Sequence, residues 1–193
     1  MLSDRGRAAL LGVLLAAPSA SGEVVERILA VVDSRPLLLS EARILEAVRG
    51  VDRAAAVEAL IDERLMFAEA AKLPQSAVSA EEEQKAYESL VSGAGDRARA
   101  VPETDLRGLA RREATILKYV HFRFLPQIRV TDEAVQKAYD AETGEKEGAL
   151  PFEDAAPGLR QRLIDHELDL RIESWVKELR AGSKVRYNPG EGP

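Results

Sequence analysis

The chain carries a strand pattern near each of its ends and helical patterns in between. Residues 24–32 are rich in β-branched side chains, a turn signal follows at residues 33–36, and residues 183–187 alternate like a short strand. Short strands are only marginally stable on their own. The simplest fold therefore pairs the last strand with an opening hairpin. This pairing brings the two ends together and holds the last helix against the first ones.

Six helical segments are predicted between these strands. Ser40 is the expected N-cap of the first helix, and the second covers residues 52–73 with Asp52 as its cap. A capping box of Ser79 and Glu82 opens the third helix. Together with the strands, these patterns predict a mainly α fold with a small β element, formed by the N-terminal hairpin and the C-terminal strand.

The later helices are predicted from their apolar spacing. The fourth extends from about Pro102 toward Phe122, and the fifth starts at Thr131. Residues 143–158 contain three glycines and two prolines and are predicted to form a loop, at least in their first half. The expected buried sides of the fourth and the last helix are Leu106, Leu109, Ile116, Leu117, Val120 and Phe124, and Leu159, Leu163, Leu168, Ile172, Trp175, Val176 and Leu179.

Residues 1–22 have the pattern of a secretory signal peptide. Arg5 and Arg7 precede an apolar run at residues 8–17, and Ala20 and Gly22 supply the small residues of a cleavage site. The alternative is an uncleaved membrane anchor, but ten helical residues span only about 15 Å, roughly half of the hydrocarbon core. We therefore predict that the signal peptide is cleaved after Gly22 and that the mature protein is periplasmic or otherwise exported, without stable membrane insertion.

The composition excludes several classes of function. The chain has no cysteine, which excludes disulfides, iron–sulfur clusters and thiolate sites, and its two histidines offer little for a metal site. A formal net charge of −6 argues against nucleic acid as the main partner, because phosphate binding needs a basic surface. We expect a binding protein with no cofactor and no metal.

Two short motifs could be taken for chemical sites. His166-Glu167 would need a histidine at position 170 to form a metalloprotease helix, and that position is Leu170. The neighbouring carboxylates Asp62 and Glu63 could act as acid and base in a cleft. Carboxylates among basic residues on a helix are more often exposed. We predict that both motifs lie on solvated helix faces.

Four parts of the sequence, in one order along the chain, match a known family pattern. They are residues 25–33 with 39–41, 59–65 with 69–73, 130–139, and 160–163 with 175–180 and 184–185. They resemble the chaperone core, or SurA N-terminal domain, of the periplasmic SurA/PpiD/PrsA group. The likeness consists of packing and capping patterns, not of a catalytic signature. It implies a helical chaperone domain over residues 23–188, with a disordered tail at residues 189–193.

The sequence departs from this family where relatives with an enzyme domain carry a parvulin prolyl isomerase. That domain lies between the counterparts of the fifth and the last helix, within the predicted loop at residues 143–158. Here the whole interval is residues 140–158, which is 19 residues, whereas even a small domain needs about 50. We therefore expect that the protein is not an enzyme and lacks isomerase activity.

Aromatic residues and a methionine are the candidates for a peptide-binding surface. Three of the nine aromatic residues fall within six positions, at Tyr119, Phe122 and Phe124, and Met66 and Phe67 are further candidates. An adaptable apolar surface suits a chaperone. Packing in the core is the alternative and is the more common role of such residues. The sequence leaves both open.

The resemblance implies a function as an exported chaperone. Its clients would be unfolded or extended segments of envelope proteins, including outer-membrane proteins, held without ATP. The first alternative is a dedicated structural or assembly partner of one envelope protein. A residual peptidyl-prolyl isomerase is a weaker one. The oligomeric state is left open by the sequence.

Overall fold

A computed structural model describes residues 26–144 and 150–189 of the 193-residue chain. The predicted signal peptide at residues 1–22 and tail residues 190–193 lie outside the described residues. The structure is mainly α-helical, with one small antiparallel sheet, which confirms the predicted fold class. Within the part of the chain that is described, no helix is both long and apolar enough to cross a membrane.

The three strands form one sheet, which brings the first and the last strand of the described residues side by side. Strands β1 (Ile28–Val32), β2 (Arg35–Leu38) and β3 (Val185–Tyr187) lie in the order β2-β1-β3, with both pairs antiparallel. The turn residues Asp33 and Ser34 have φ angles of 46° and 75°. Positive φ angles at two successive residues are typical of the tight two-residue turn that connects the strands of a hairpin. The predicted pairing of the last strand with the opening hairpin is confirmed.

The structure describes six α-helices, which are joined by three short 3₁₀ segments. Asp52 and Ser79 cap α2 and α3 as predicted, because their side chains accept the N–H groups of Ala55 and Glu82. The second helix ends at Ala70 instead of the predicted residue 73. The six helices are α1 (Leu39–Arg49), α2 (Arg53–Ala70), α3 (Ala80–Ala94), α4 (Glu103–Arg123), α5 (Asp132–Thr143) and α6 (Phe152–Gly182).

The start of α1 differs from the prediction. Leu38 stands at the N-cap position, and the carboxylate of Glu41 accepts its backbone N–H at 2.9 Å. The Ser40 hydroxyl instead donates to Glu26 at 2.6 Å. Ser40 therefore ties the segment before β1 to the helix instead of capping it, and Glu41 accepts the backbone N–H of Leu38, the residue at the N-cap position.

The second half of the interval at residues 143–158 is helical, so the predicted loop is too long. Helix α6 begins at Phe152 with Pro151 before it, and Glu153 and Asp154 in its first turn favour the positive end of the helix dipole. Pro157 lies in the second turn and removes only one backbone hydrogen bond there. The first half of the predicted loop falls mostly on residues 145–149, which lie outside the described residues.

Two apolar clusters hold the helices together. The first packs the sheet against α1, α2 and the start of α4, and Leu29, Leu37, Leu45, Ile61 and Leu109 are fully buried in it. The second, which we name the aromatic core, joins the ends of α2 and α4 to the middle of α6. Its buried members are Ala70, Tyr119, Val120 and Trp175.

Arg180, near the end of α6, closes the fold onto α2. Its guanidinium donates to Asp62 at 2.5 Å and to the carboxylate of Glu58 at 2.9 Å. The Tyr187 hydroxyl of β3 donates to the other Glu58 oxygen at 2.6 Å. These contacts raise the pKa of Arg180 and stabilise its charge. The last helix and the last strand are thus both held on α2. The packing of the last helix against one of the first helices agrees with the prediction.

Candidate functional site

An open groove of about 840 Å³ lies between α2, α3 and α4, with α6 at one side. This volume falls within the usual range of ligand-binding sites. Its apolar side chains come from all four helices, whereas charged side chains lie among and around them. The apolar lining, which we name the groove floor, consists of Ala59, Met66, Ala86, Ala114, Ile116, Leu117, Val120 and Ile172.

Leu117 is the most accessible large apolar residue of the groove floor. It is 53% exposed, so the prediction that it lies on the buried side of α4 is wrong. Residues two positions apart on a helix point in nearly opposite directions. Because Tyr119 is turned into the aromatic core, Leu117 faces the groove instead.

The charged residues at the groove are paired. Arg49 contacts Glu113 at 2.7 Å, and Lys118 contacts Glu82 at 2.9 Å. The backbone N–H of Ser79, followed by Lys118, lowers the pKa of Glu82 to about 2. Exposed pairs of this kind contribute little to stability. Their effect is to satisfy the charges around the groove with partners from the protein itself.

Glu63 differs from these charged residues because it is buried and because only one of its two carboxylate oxygens is paired within the described part of the chain. Its side chain lines the groove, yet the residue is only 5% exposed, so the prediction of a solvated helix charge is wrong for Glu63. Arg112 donates to Oε1 at 2.5 Å, whereas Oε2 is buried and has no hydrogen-bond partner among the described residues. Burial raises the pKa of Glu63, and Arg112 opposes that shift.

A sequence signal for this burial exists. Glu63 lies three residues after Leu60 and seven after Ala56, and both of these are buried on the inner face of α2. Residues at this spacing share one helix face. The charge pattern predicts a solvated residue, whereas the helical spacing places Glu63 at the edge of the buried face.

The structure brings one of the five predicted peptide-binding residues to the groove, Met66. Tyr119 is 1% exposed and stacks on Trp175 with 4.9 Å between ring centroids, and Phe124 packs edge-on against both rings. Phe122 is 56% exposed and lies outside the groove lining, and Phe67 is half-buried and also lies outside it. Tyr119 and Phe124, two of the three clustered aromatic residues, thus pack in the aromatic core.

No protein-family model matches the chain, and no curated protein matches it. The fold and the groove define a mainly helical protein with a small antiparallel sheet and an open apolar cleft.

Proposed function

We propose that this protein is an exported chaperone-like protein that binds extended, apolar segments of unfolded envelope proteins in the groove. The observation that carries the proposal is the open groove floor, with Leu117 exposed on it. A water-facing leucine among other apolar side chains gains free energy when a partner covers it. The binding is reversible and needs no cofactor.

The chemistry of the groove suits clients that differ in sequence. Apolar burial has no strict directional requirement, so one surface can accept many apolar side chains. Met66 adds an unbranched and adaptable side chain to the floor. The paired charges Arg49–Glu113 and Lys118–Glu82 leave few polar groups that demand one particular ligand. Specificity for a single folded partner would need more such groups.

The proposal includes no isomerase activity. Where the resembling enzymes carry a parvulin domain, α5 and α6 of this chain approach each other closely. The Tyr139 hydroxyl donates to the Leu150 carbonyl at 2.6 Å, and the rings of Tyr139 and Phe152 pack edge to face. These contacts hold the end of α5 and the start of α6 close together. The connection between the two helices is too short to contain an inserted domain.

A second candidate function is a dedicated assembly partner of one envelope protein. The observation that favours it is a pair of exposed apolar residues, Phe122 in the last turn of α4 and Leu125 in the short segment after that helix. Exposed apolar side chains of this kind are suited to contact with a fixed partner surface. This pair is smaller than the groove floor, so we rank this function second.

The test is a light-scattering assay of the aggregation of an unfolded outer-membrane protein. We expect the protein to suppress aggregation and Leu117→Asp to require about ten-fold more protein for the same effect, because a charge replaces apolar contact. The matched control is Leu170→Asp, which places the same charge at an exposed leucine of α6 outside the groove. It should behave like the unmodified protein.

No suppression at several-fold excess of the unmodified protein would contradict the general chaperone function and leave the dedicated partner. Equal loss in both leucine variants would contradict the assignment to the groove. Circular dichroism of each variant establishes that the helical content is retained, so that a folding defect is not mistaken for lost binding.

A further inference from the structure

We propose that Glu63 makes the groove selective for apolar segments that carry a lysine or an arginine. The inference rests on the proposed function, in that it assumes that the groove binds extended segments, and it adds the chemical class of the preferred client. It is carried by a carboxylate that lines the groove and has one buried oxygen without a hydrogen-bond partner among the described residues.

The two oxygens of Glu63 have different surroundings. Oε1 accepts from Arg112 Nε at 2.5 Å, whereas no group among the described residues donates to Oε2. A carboxylate can accept about four hydrogen bonds. The pair with Arg112 therefore uses only part of its capacity, and the unused oxygen belongs to a residue that lines the groove.

The cations near this carboxylate are already engaged. Arg49 is paired with Glu113, and Lys118 is paired with Glu82 and also donates to the Ala77 carbonyl at 2.6 Å. Glu113 adds a second negative charge that acts on Glu63. The described part of the groove thus has a carboxylate oxygen that is not matched by a donor of its own.

The unpaired oxygen of Glu63 makes the binding free energy depend on the charge of the client residue that lies beside it. A purely apolar segment that covers Glu63 offers no donor to Oε2, so this oxygen stays unpaired in the complex. A lysine or arginine supplies a charge-assisted hydrogen bond and lays its apolar stem along the groove floor. An acidic residue at the same place is repelled, so the site favours basic clients and disfavours acidic ones.

The experiment uses the full chain and three fluorescently labelled apolar decapeptides that differ only at their central residue. That residue is lysine, norleucine or glutamate. Fluorescence anisotropy at physiological salt should show about ten-fold tighter binding of the lysine peptide than of the norleucine peptide, with the glutamate peptide weakest. This comparison is made on the unmodified protein and so does not depend on the folding of a variant.

Two variants locate the preference. Glu63→Gln keeps the shape of the side chain and should bind the lysine and norleucine peptides equally. Glu173→Gln removes the same charge from an exposed carboxylate of α6 that lies outside the groove lining, so it should keep the preference. This control separates recognition by Glu63 from a general attraction of cations to an acidic protein.

The outcomes distinguish this inference from the proposed function. Equal binding of the lysine and norleucine peptides by the unmodified protein would overturn the inference and leave the groove as an apolar site. A lysine preference that survives in Glu63→Gln would also overturn it. Binding of none of the peptides would contradict the proposed function itself, and the inference would fall with it.

Discussion

Replacing Trp175 with alanine is expected to lower the free energy of unfolding by about 3–5 kcal/mol, the range for removal of a large buried aromatic side chain. Trp175 is buried in the aromatic core, stacks on Tyr119 and meets Phe124 with 5.5 Å between ring centroids. The indole joins α6 to the end of α4. Its loss leaves a cavity between two helices that the surrounding side chains fill only in part.

The measurement is urea unfolding followed by far-ultraviolet circular dichroism, because Trp175 is the only tryptophan and its fluorescence is lost in the variant. The control is Trp175→Phe, which keeps an aromatic ring and should lose only about 1 kcal/mol. A loss below about 1 kcal/mol for the alanine variant would contradict the role of the aromatic core in stability.

Replacing Arg112 with alanine is expected to lower the free energy of unfolding by about 3 kcal/mol at neutral pH. The change leaves a buried carboxylate without its partner, which is more costly than the loss of an exposed ion pair. Among the described residues, Glu63 would then have no hydrogen-bond donor on Oε1 or Oε2. The control is Arg111→Ala, because Arg111 is exposed and lies 3.8 Å from Glu83.

The loss in Arg112→Ala should depend on pH. Burial already raises the pKa of Glu63 above its ordinary value of 4.5, and removal of Arg112 raises it further, against the opposing effect of Arg49 and with that of Glu113. A pKa that is higher in the folded state favours folding with the carboxyl protonated. The deficit should therefore be largest above the folded pKa and shrink as the pH falls toward about 4.

Urea unfolding of Arg112→Ala and of the unmodified protein at pH 7 and at about pH 4 measures this difference. The variant should recover part of its lost stability at the lower pH, whereas Arg111→Ala should differ little from the unmodified protein at either pH. A deficit for Arg112→Ala that is the same at both values would show that Glu63 does not carry an uncompensated charge.

The sequence was sufficient for the parts of the fold that depend on local chemistry. The caps Asp52 and Ser79 and the turn at residues 33–36 follow from short-range hydrogen bonding and backbone geometry. The pairing of the last strand with the hairpin follows from the need of a short strand for a partner. Each of these depends on a few neighbouring residues or on one simple constraint.

The groove could not be predicted in the same way. Helix α4 has apolar residues on more than one side, so its sequence does not decide which of them meet α2, α3 and α6. The choice between Leu117 and Tyr119 depends on the position of Trp175, which lies 56 residues beyond Tyr119 in the chain. The prediction that Glu63 is solvated is wrong for the same reason, because its burial depends on the helices that cover it.

The central claim is that the groove is where unfolded segments bind, and site-specific photocross-linking tests it most directly. A photoreactive benzoylphenylalanine is placed in the full chain at position 117, 122 or 170, and an unfolded outer-membrane protein is added before illumination. We expect strong cross-linking from position 117 and little from positions 122 and 170. Stronger cross-linking from position 122 or 170 than from position 117 would contradict the claim.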